Sequence, residues 1–217
     1  MIEATYIDHM GSDLSVVNAA RVSFGKKADW KHPSIGQESG LSDRDTKLVY
    51  YLAKHKHMSP FGHAFATFHV KAPVFVARQL VKHKFLRWNE ISRRYVDEEP
   101  EFYVPDVWRG RSADKKQGSE GEVSCPVRPE MLYKDAIESY NTMLEAGICP
   151  EQARMVLPQS TMTEWYWSGS LDAFSDMCLL RCASDTQVET QKVAAQISVK
   201  MHELFPVSWM ALGTGEH

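Results

Sequence analysis

Long apolar runs and a general excess of positive charge are both missing from this sequence of 217 residues. No stretch approaches the roughly 20 apolar residues that span a bilayer. The first ten residues, MIEATYIDHM, lack the basic and then apolar order of a signal peptide, so we expect an intracellular, cytoplasmic protein. The formal net charge is -3, which argues against general nucleic-acid binding, because that function usually needs a basic domain.

Cysteine is also scarce, which bears on disulfides, metal binding and nucleophilic catalysis. The four cysteines are Cys125, Cys149, Cys178 and Cys182, and their irregular spacing does not indicate a disulfide framework. Cys178 and Cys182 could share one helix face and bind a metal, but the apolar sequence around them favours core cysteines. None has a histidine near it in sequence that would activate it as a nucleophile.

Histidine is more abundant, with five residues between positions 55 and 83. They are His55, His57, His63, His69 and His83. They extend over a predicted helix, turn and strand, and no HExxH or CxxC motif accompanies them. We therefore expect no metal site and favour structural hydrogen bonds for most of them. A metal-dependent nucleotide hydrolase is the alternative function that these residues leave open.

The hydrophobic pattern predicts a mixed α/β (α+β) fold, with a small central sheet and long flanking helices, in one domain over residues 1–217. Residues 106–128 are polar and contain glycine, which predicts a mobile insertion. Strands are predicted at 2–8 and 64–71, and helices at 13–22, after Ser42 to about 56, at 73–84, 129–146, 150–156, 170–183 and 186–204.

The segment KHKFLRWNEISRRY, residues 82–95, concentrates positive charge. It holds five of the chain's 25 Lys and Arg residues and a single acid, Glu90. Three interpretations compete: a nucleic-acid patch, a solvated helix face and a pocket for small phosphorylated ligands. The pocket uses more of the residue types, because Asn89 and Ser92 add neutral hydrogen-bonding groups and Glu90 can accept from a ribose or a base.

This segment resembles the signature of the flavin-dependent thymidylate synthases, which is Arg-His-Arg, seven residues and then serine. Here the triplet is Lys82-His83-Lys84, the seven residues are FLRWNEI, and the serine is Ser92. Five further segments resemble the family in the expected order and leave mainly 106–128 unmatched. They are DLSVVNAARVSF (13–24), HMSPFGHAFATFHVKAPVFVARQ (57–79), EFYVP (101–105), ARMVLPQS (153–160) and LLRCASDTQVETQ (179–191).

The resemblance implies an enzyme that methylates dUMP to dTMP. The carbon donor would be methylenetetrahydrofolate, and NADPH would supply electrons through FAD, while the protein supplies orientation and electrostatics. It also implies an intertwined homotetramer with sites at the subunit interfaces, and neither nucleic acid nor membrane as a partner.

The resemblance further implies roles for individual residues. Arg181, Ser92 and His57 are the candidate catalytic residues: Arg181 would stabilise negative charge at uracil N3, Ser92 would hydrogen-bond dUMP, and His57 would lie near the flavin and folate. The implied dUMP contacts are Gln79, Lys82, Glu90, Ser92, Arg93 through its backbone, Arg94, Arg154 and Arg181. The implied FAD contacts are Ser23, Ser59, Lys82, His83, Lys84, Asn89, Glu90, Ser170, Asp172 and Asp176.

The sequence departs from the family pattern in several places. Lys82 and Lys84 stand where the family has arginines, which replaces two forked donors with two compact charges. Gly62 replaces an acid, Arg87 replaces a small polar residue, and Asp185 replaces a histidine that can contact the flavin.

Overall fold

The computed structural model describes residues 1–31, 40–96, 98–113 and 118–214, which form a mixed α/β fold. The strands are β1 (Glu3–Met10), β2 (Phe65–Pro73), β3 (Leu86–Glu90), β4 (Arg109–Arg111), β5 (Ser119–Glu122) and β6 (Met162–Ser170). The α-helices are α1 (Asp13–Arg21), α2 (Asp43–Lys54), α3 (Val74–Leu80), α4 (Pro129–Glu145), α5 (Pro150–Ala153), α6 (Leu171–Arg181), α7 (Val188–Leu204) and α8 (Pro206–Ala211). Short 3-10 helices occupy Val22–Phe24, Ser59–His63 and Arg154–Val156.

Four strands form an antiparallel sheet in the order β1-β2-β6-β3, while β4 and β5 form a separate hairpin. Strand alternation buries Phe68, Trp165 and Trp167 on the face that carries the helices. The opposite face stays open in the protomer, where Tyr166 is exposed. The small predicted sheet with flanking helices is confirmed, although within the described part of the chain helices cover only one of its faces.

Aromatic packing fixes the centre of the sheet. The rings of Trp88 and Trp165 stack with centroids 4.2 Å apart, and Trp167 meets Phe174 of α6 edge to face at 5.7 Å. Burial of each such side chain stabilises the fold by about 1.5–3 kcal/mol. The sheet and α6 are therefore held in a fixed relation, and α6 carries candidate site residues at both of its ends.

The predicted helix starts are confirmed at α1 and α2. The hydroxyl of Ser42 accepts a hydrogen bond from the main-chain N–H of Asp45 at 3.2 Å and so caps α2. Asp13, at the start of α1, is buried and accepts the main-chain N–H groups of Val207 and Ser208 at 2.9 and 2.8 Å. This carboxylate therefore joins the two ends of the described chain.

The prediction of a helix through Lys84 was wrong, because α3 ends at Leu80. The chain must turn here so that β3 can pair with β6, and Phe85 makes the turn with a φ of 64°. Leu86 then passes so close to Gly169 that a side chain on Gly169 would lie 2.3 Å from it. Lys82, His83 and Lys84 consequently lie in a loop and not on a helix.

The sequence pattern also gave no strand at 86–90, 109–111, 119–122 or 162–170. The strands β4 and β5 place part of the predicted insertion in a defined hairpin.

Of the helices among the described residues, none is both long and apolar enough to cross a membrane.

Candidate functional site

A cavity of about 730 Å³ lies where the ends of α3 and α6 meet the start of α7. Gln79, Lys82 and Arg181, three of the residues predicted to contact dUMP, line it together. The remaining lining residues are Phe75, Tyr103, Pro105, Val107, Trp108, Arg109, Gly118, Ser119, Tyr133, Ser160, Leu180, Asp185, Thr186, Gln187 and Glu189. The cavity thus combines cations with aromatic rings, which suits a planar anionic ligand.

Arg181 is oriented by two hydrogen bonds. Its Nε donates to Nε2 of His83 at 2.9 Å, and a terminal nitrogen donates to the main-chain oxygen of Gln79 at 3.2 Å. A guanidinium has five N–H donors, so others are available to a ligand. The predicted role of Arg181 beside the uracil stays a prediction, and this geometry is compatible with it.

His83 is held in the neutral form by the same contact. Its Nε2 accepts the hydrogen bond from Arg181 and carries no proton, so the ring proton is on Nδ1. Burial and then the nearby charge of Arg181 lower the pKa of His83 from 6.5 to about 4. His83 therefore positions Arg181 through one nitrogen and keeps an N–H donor on the other.

We expect His83 to make the folded protein less stable as the pH falls from about 6.5 toward 4. The unfolded chain protonates this imidazole near pH 6.5, whereas the folded chain does so only near pH 4. The unfolded state therefore binds more protons in this interval, which lowers the free energy of unfolding. Urea unfolding of the parent and of His83→Gln between pH 7 and pH 4.5 measures the effect. The variant should show a weaker dependence on pH, and equal dependence would mean that His83 titrates alike in both states.

Gln79 is fixed at both ends of its side-chain amide. Its nitrogen donates to the side-chain oxygen of Gln187, and its oxygen accepts from the hydroxyl of Thr190 at 3.2 Å. Because Gln79 also accepts from Arg181 through its main chain, α3, α6 and α7 are joined at this residue.

Glu90 ends β3 and lies outside the cavity. One carboxylate oxygen accepts from the hydroxyl of Thr163 at 2.7 Å, and the other accepts from the indole N–H of Trp88 at 3.0 Å. The carboxylate is thus held in a fixed orientation although the residue is exposed.

The remaining predicted dUMP residues gather beyond β3, also outside the cavity. Arg94 donates to the hydroxyl of Ser92 at 3.3 Å and lies 3.8 Å from the carboxylate of Glu151. Arg154 donates to the main-chain oxygen of Glu151 at 3.4 Å. The Arg93 guanidinium donates to the main-chain oxygen of Glu98. The predicted dUMP contacts therefore form two groups in one protomer, and no described contact joins them.

The predicted FAD residues include a group around the start of α6. Ser170 precedes that helix, and an oxygen of Asp172 is buried without a hydrogen-bond partner among the described residues. Burial and then the charge of Asp172 raise the pKa of Asp176. Ser59 begins a 3-10 helix that contacts α6, and Ser23 lies in the 3-10 turn after α1.

The loop after α3 supplies two exposed cations to the predicted FAD set. Lys82 and Lys84 are exposed, and neither forms an ion pair within the part of the chain that the structure describes. Asn89 is exposed on β3, as is His57 after α2. Cations without an internal partner are available to a phosphate group.

Within residues 1–31, 40–96, 98–113 and 118–214, no group of three or more His, Cys, Asp or Glu could hold a metal ion. None of the four cysteines lines the cavity. Cys178 is fully buried, and burial raises its pKa well above the ordinary value.

Sequence reasoning missed three cavity residues that meet at one carboxylate, that of Glu189. Arg109 forms an ion pair with Glu189 at 2.7 Å, and the hydroxyl of Tyr103 donates to the same carboxylate at 3.3 Å. Arg109 belongs to a polar segment with no repeating pattern, and Glu189 looks like an ordinary acid in a first helical turn. Nothing local in the sequence indicated that they meet.

Comparison with known proteins gives a consistent result. The family profile described as thymidylate synthase complementing protein (Thy1) matches residues 5–207. The chain is 38% identical over 208 residues to a flavin-dependent thymidylate synthase of Thermus thermophilus, covering 94% of this chain and 73% of that protein. It is 37% identical over 206 residues to the enzyme of the same name from Thermosipho melanesiensis, covering 92% and 85%. The crystal structure of the UMP/dUMP methylase PolB from Streptomyces cacaoi bound with 5-Br dUMP is similar with a TM-score of 0.81 and 32% identity, over 98% of this chain and 95% of that one.

Proposed function

The chain belongs to the flavin-dependent thymidylate synthase family, and on that basis we propose that its cavity binds dUMP for reductive methylation to dTMP. Methylenetetrahydrofolate is the carbon donor of this reaction, and NADPH is the reductant through FAD. The observation that carries the assignment of the site is the convergence of Gln79, Lys82 and Arg181 on one cavity of about 730 Å³.

In the proposed complex, Arg181 stands beside the uracil ring. Its hydrogen bonds to His83 and Gln79 leave N–H donors for the base. A guanidinium stays charged at any working pH, so it stabilises the negative charge that develops at N3 as the ring becomes electron-rich. Gln79, held by Gln187 and Thr190, presents fixed polar groups to the nucleotide.

The loop after α3 fits the phosphates of FAD. Lys82 and Lys84 lack an ion-pair partner among the described residues, and His83 keeps an Nδ1–H donor. When bound, FAD supplies the redox chemistry that links NADPH to the nucleotide. The chain's own residues supply positive charge and hydrogen bonds that hold the cofactor beside the cavity. The other proposed FAD contacts are Ser23, Ser59, Asn89, Glu90, Ser170, Asp172 and Asp176.

We further propose that the complete site needs more than one copy of the chain. In one protomer, Arg94 and Arg154 lie outside the cavity that contains Arg181. Large apolar side chains beside the proposed ligand residues are also exposed: Phe24 is 78% exposed and Phe85 79%. Apolar groups next to polar ligand residues are typical of an interface. An intertwined homotetramer would cover them and bring Glu90, Ser92, Arg93, Arg94 and Arg154 of one copy to the cavity of another.

Complementation between two inactive variants tests the shared site. Arg181→Ala removes a group of the cavity, and Arg94→Ala removes a group of the other set. If each site takes these residues from different copies, unfolding and refolding the two variants together should restore activity that neither has alone. If the refolded mixture forms mixed assemblies but has no more activity than either variant alone, Arg181 and Arg94 would act in the same copy's site. Light scattering of the parent should give four times the protomer mass.

The reaction itself is tested with the purified protein. Its absorbance spectrum should show bound flavin after reconstitution with FAD, and dTMP should form only when dUMP, methylenetetrahydrofolate and NADPH are all present. UMP tested in the same assay measures the selectivity for the sugar, because the similar structure is that of a UMP/dUMP methylase. Loss of activity with a chelator would favour a metal-dependent hydrolase. Salt-dependent oligonucleotide binding without flavin would favour a nucleic-acid protein.

No cysteine should be needed as a nucleophile. None of the four lines the cavity, and burial raises the pKa of Cys178, which disfavours its thiolate. A variant with all four cysteines replaced by serine or alanine should therefore keep measurable dTMP formation, provided that circular dichroism shows a folded protein. Complete loss of turnover in one folded single-cysteine variant would contradict this prediction.

A further inference from the structure

The hairpin of β4 and β5 is attached to α7 through one side chain. Arg109 of β4 donates from one terminal nitrogen to both carboxylate oxygens of Glu189, at 2.7 and 2.8 Å. Its Nε donates to the hydroxyl of Ser119 at 2.9 Å and so also joins the two strands of the hairpin. Arg109 therefore connects both strands of the hairpin to α7, which lies 80 residues further along the chain.

The partner carboxylate is buried. Glu189 is 2% exposed, and Arg109 is the only cation that pairs with it among the described residues. Burial is the largest single influence and would raise the pKa of Glu189, but the hydrogen bonds and charge of Arg109, together with hydrogen bonds from the main chain and from Gln187, hold the pKa below the ordinary value. Tyr103 donates to the same carboxylate, and burial together with the charge of Glu189 raises the pKa of Tyr103 to about 12.

Through this attachment the hairpin forms one wall of the cavity. Trp108, Arg109 and Ser119 line the same cavity as Gln79, Lys82 and Arg181. Gly118 brings the second strand close to the loop before α7, where a side chain on this glycine would lie 3.5 Å from the main-chain oxygen of Asp185. Its φ of 97° also favours glycine. The wall is therefore built from main-chain contacts and from the Arg109–Glu189 pair.

We infer that Arg109 is a positioning residue for the nucleotide: its pair with Glu189 holds the hairpin in place as the outer wall of the dUMP cavity. This inference rests on the proposed function and extends it to the segment that the family resemblance left unmatched. Removing Arg109 leaves a buried carboxylate without its cation, which is costly in a protein interior. The hairpin would then leave α7 or Glu189 would take up a proton, and in either case the wall loosens.

The test compares Arg109→Met with Arg111→Met. Arg111 lies two residues away on the same strand, is exposed, and forms no ion pair within the described residues, so its replacement removes the same charge without touching Glu189. Hydrogen exchange followed by mass spectrometry measures the hairpin directly, whatever reaction the protein catalyses. Steady-state kinetics with dUMP and stopped-flow reduction of FAD by NADPH measure the two halves of the proposed reaction separately.

For Arg109→Met we expect amide exchange in residues 118–123 to accelerate by about tenfold or more, as a local contact opens. We expect the KM for dUMP to rise by about tenfold or more, because a buried charged pair is broken at the substrate cavity. kcat should fall by a smaller factor, and FAD reduction should stay within about twofold of the parent, since the pair does not touch the flavin residues. Arg109→Lys should recover part of the loss, and Arg111→Met should behave like the parent.

The outcomes separate this inference from the proposed function. If Arg109→Met shows the same amide exchange in the hairpin and the same KM for dUMP as the parent, the Arg109–Glu189 pair does not hold the hairpin in place. If the hairpin loosens but the KM is unchanged, the wall plays no part in binding dUMP, and the inference fails in the same way. If the parent binds no dUMP, the proposed function fails, whereas the exchange measurement still reports on the attachment. Should Arg109→Met not fold, Glu189→Gln keeps the volume and the acceptor oxygen, and its KM and exchange rates decide the question.

Discussion

Replacing Arg181 with alanine is expected to reduce dTMP formation by about a hundredfold or more, as removal of one oxyanion donor does in other enzymes. The loss should appear in turnover, because the interaction with N3 strengthens only as the uracil becomes electron-rich. Reduction of FAD by NADPH involves no nucleotide charge and should survive much better. Stopped-flow measurement of flavin reduction, beside single-turnover formation of dTMP, separates the two steps.

Arg181→Lys and Arg44→Ala are the matched controls for this prediction. Lysine keeps the charge but has no Nε to donate to His83, so an intermediate rate would assign part of the effect to orientation. Arg44 is exposed on α2, outside the cavity, and its loss should leave both steps unchanged. If flavin reduction and dTMP formation fell together in a folded, correctly assembled Arg181→Ala, the assignment to uracil would be wrong.

The sequence was most informative where a local signal determines the structure. Ser42 caps α2 as predicted, because its hydroxyl needs only the N–H of Asp45, three residues away. The glycines and prolines that flank the long helices are likewise local signals, and they predicted where those helices begin and end. The predicted mixed fold with a small sheet follows from such local signals, and the structure confirms it.

Strands that depend on distant partners were missed. The segment LRWNE shows no alternation of apolar and polar residues, and it becomes β3 only because β6 is available to pair with it. In β6 the exposed aromatic Tyr166 lies between the buried Trp165 and Trp167, so the alternation that identifies a half-buried strand is hidden. Both cases depend on tertiary contacts that a sequence window does not contain.

The same limit applies to the candidate site. The family resemblance supplied Gln79, Lys82 and Arg181, and the structure brings these three to one cavity. The family resemblance did not supply the contact of His83 with Arg181, which joins residues 98 positions apart. Nor did it supply the contact of Arg109 with Glu189, which are 80 positions apart. Ligand residues recur in a motif because the ligand is the same, whereas the residues that position them depend on how each chain packs.

The second large effect is expected at Lys82, which belongs to the basic segment 82–95. Lys82 lies in the loop after α3, lines the cavity and has no ion-pair partner among the described residues. Its ammonium is therefore available to a phosphate of dUMP or FAD. Lys82→Ala should weaken binding of one or both by roughly 1.5–3 kcal/mol, the usual range for hydrogen bonds to charged groups. Lys82→Arg should be tolerated well, because it restores the residue that the family commonly has here.

Separate titrations of FAD and dUMP into the parent, Lys82→Ala, Lys82→Arg and Lys47→Ala, each at two salt concentrations, test this prediction. Lys47 is exposed on α2, away from the cavity, and controls for the loss of one positive charge. The difference between the parent and Lys82→Ala should shrink at high salt if the contact is exposed, since screening already weakens it in the parent. If Lys82→Ala bound both ligands like the parent but lost affinity for oligonucleotides, the basic segment would serve nucleic acid. Its assignment to a site for small phosphorylated ligands would then fail.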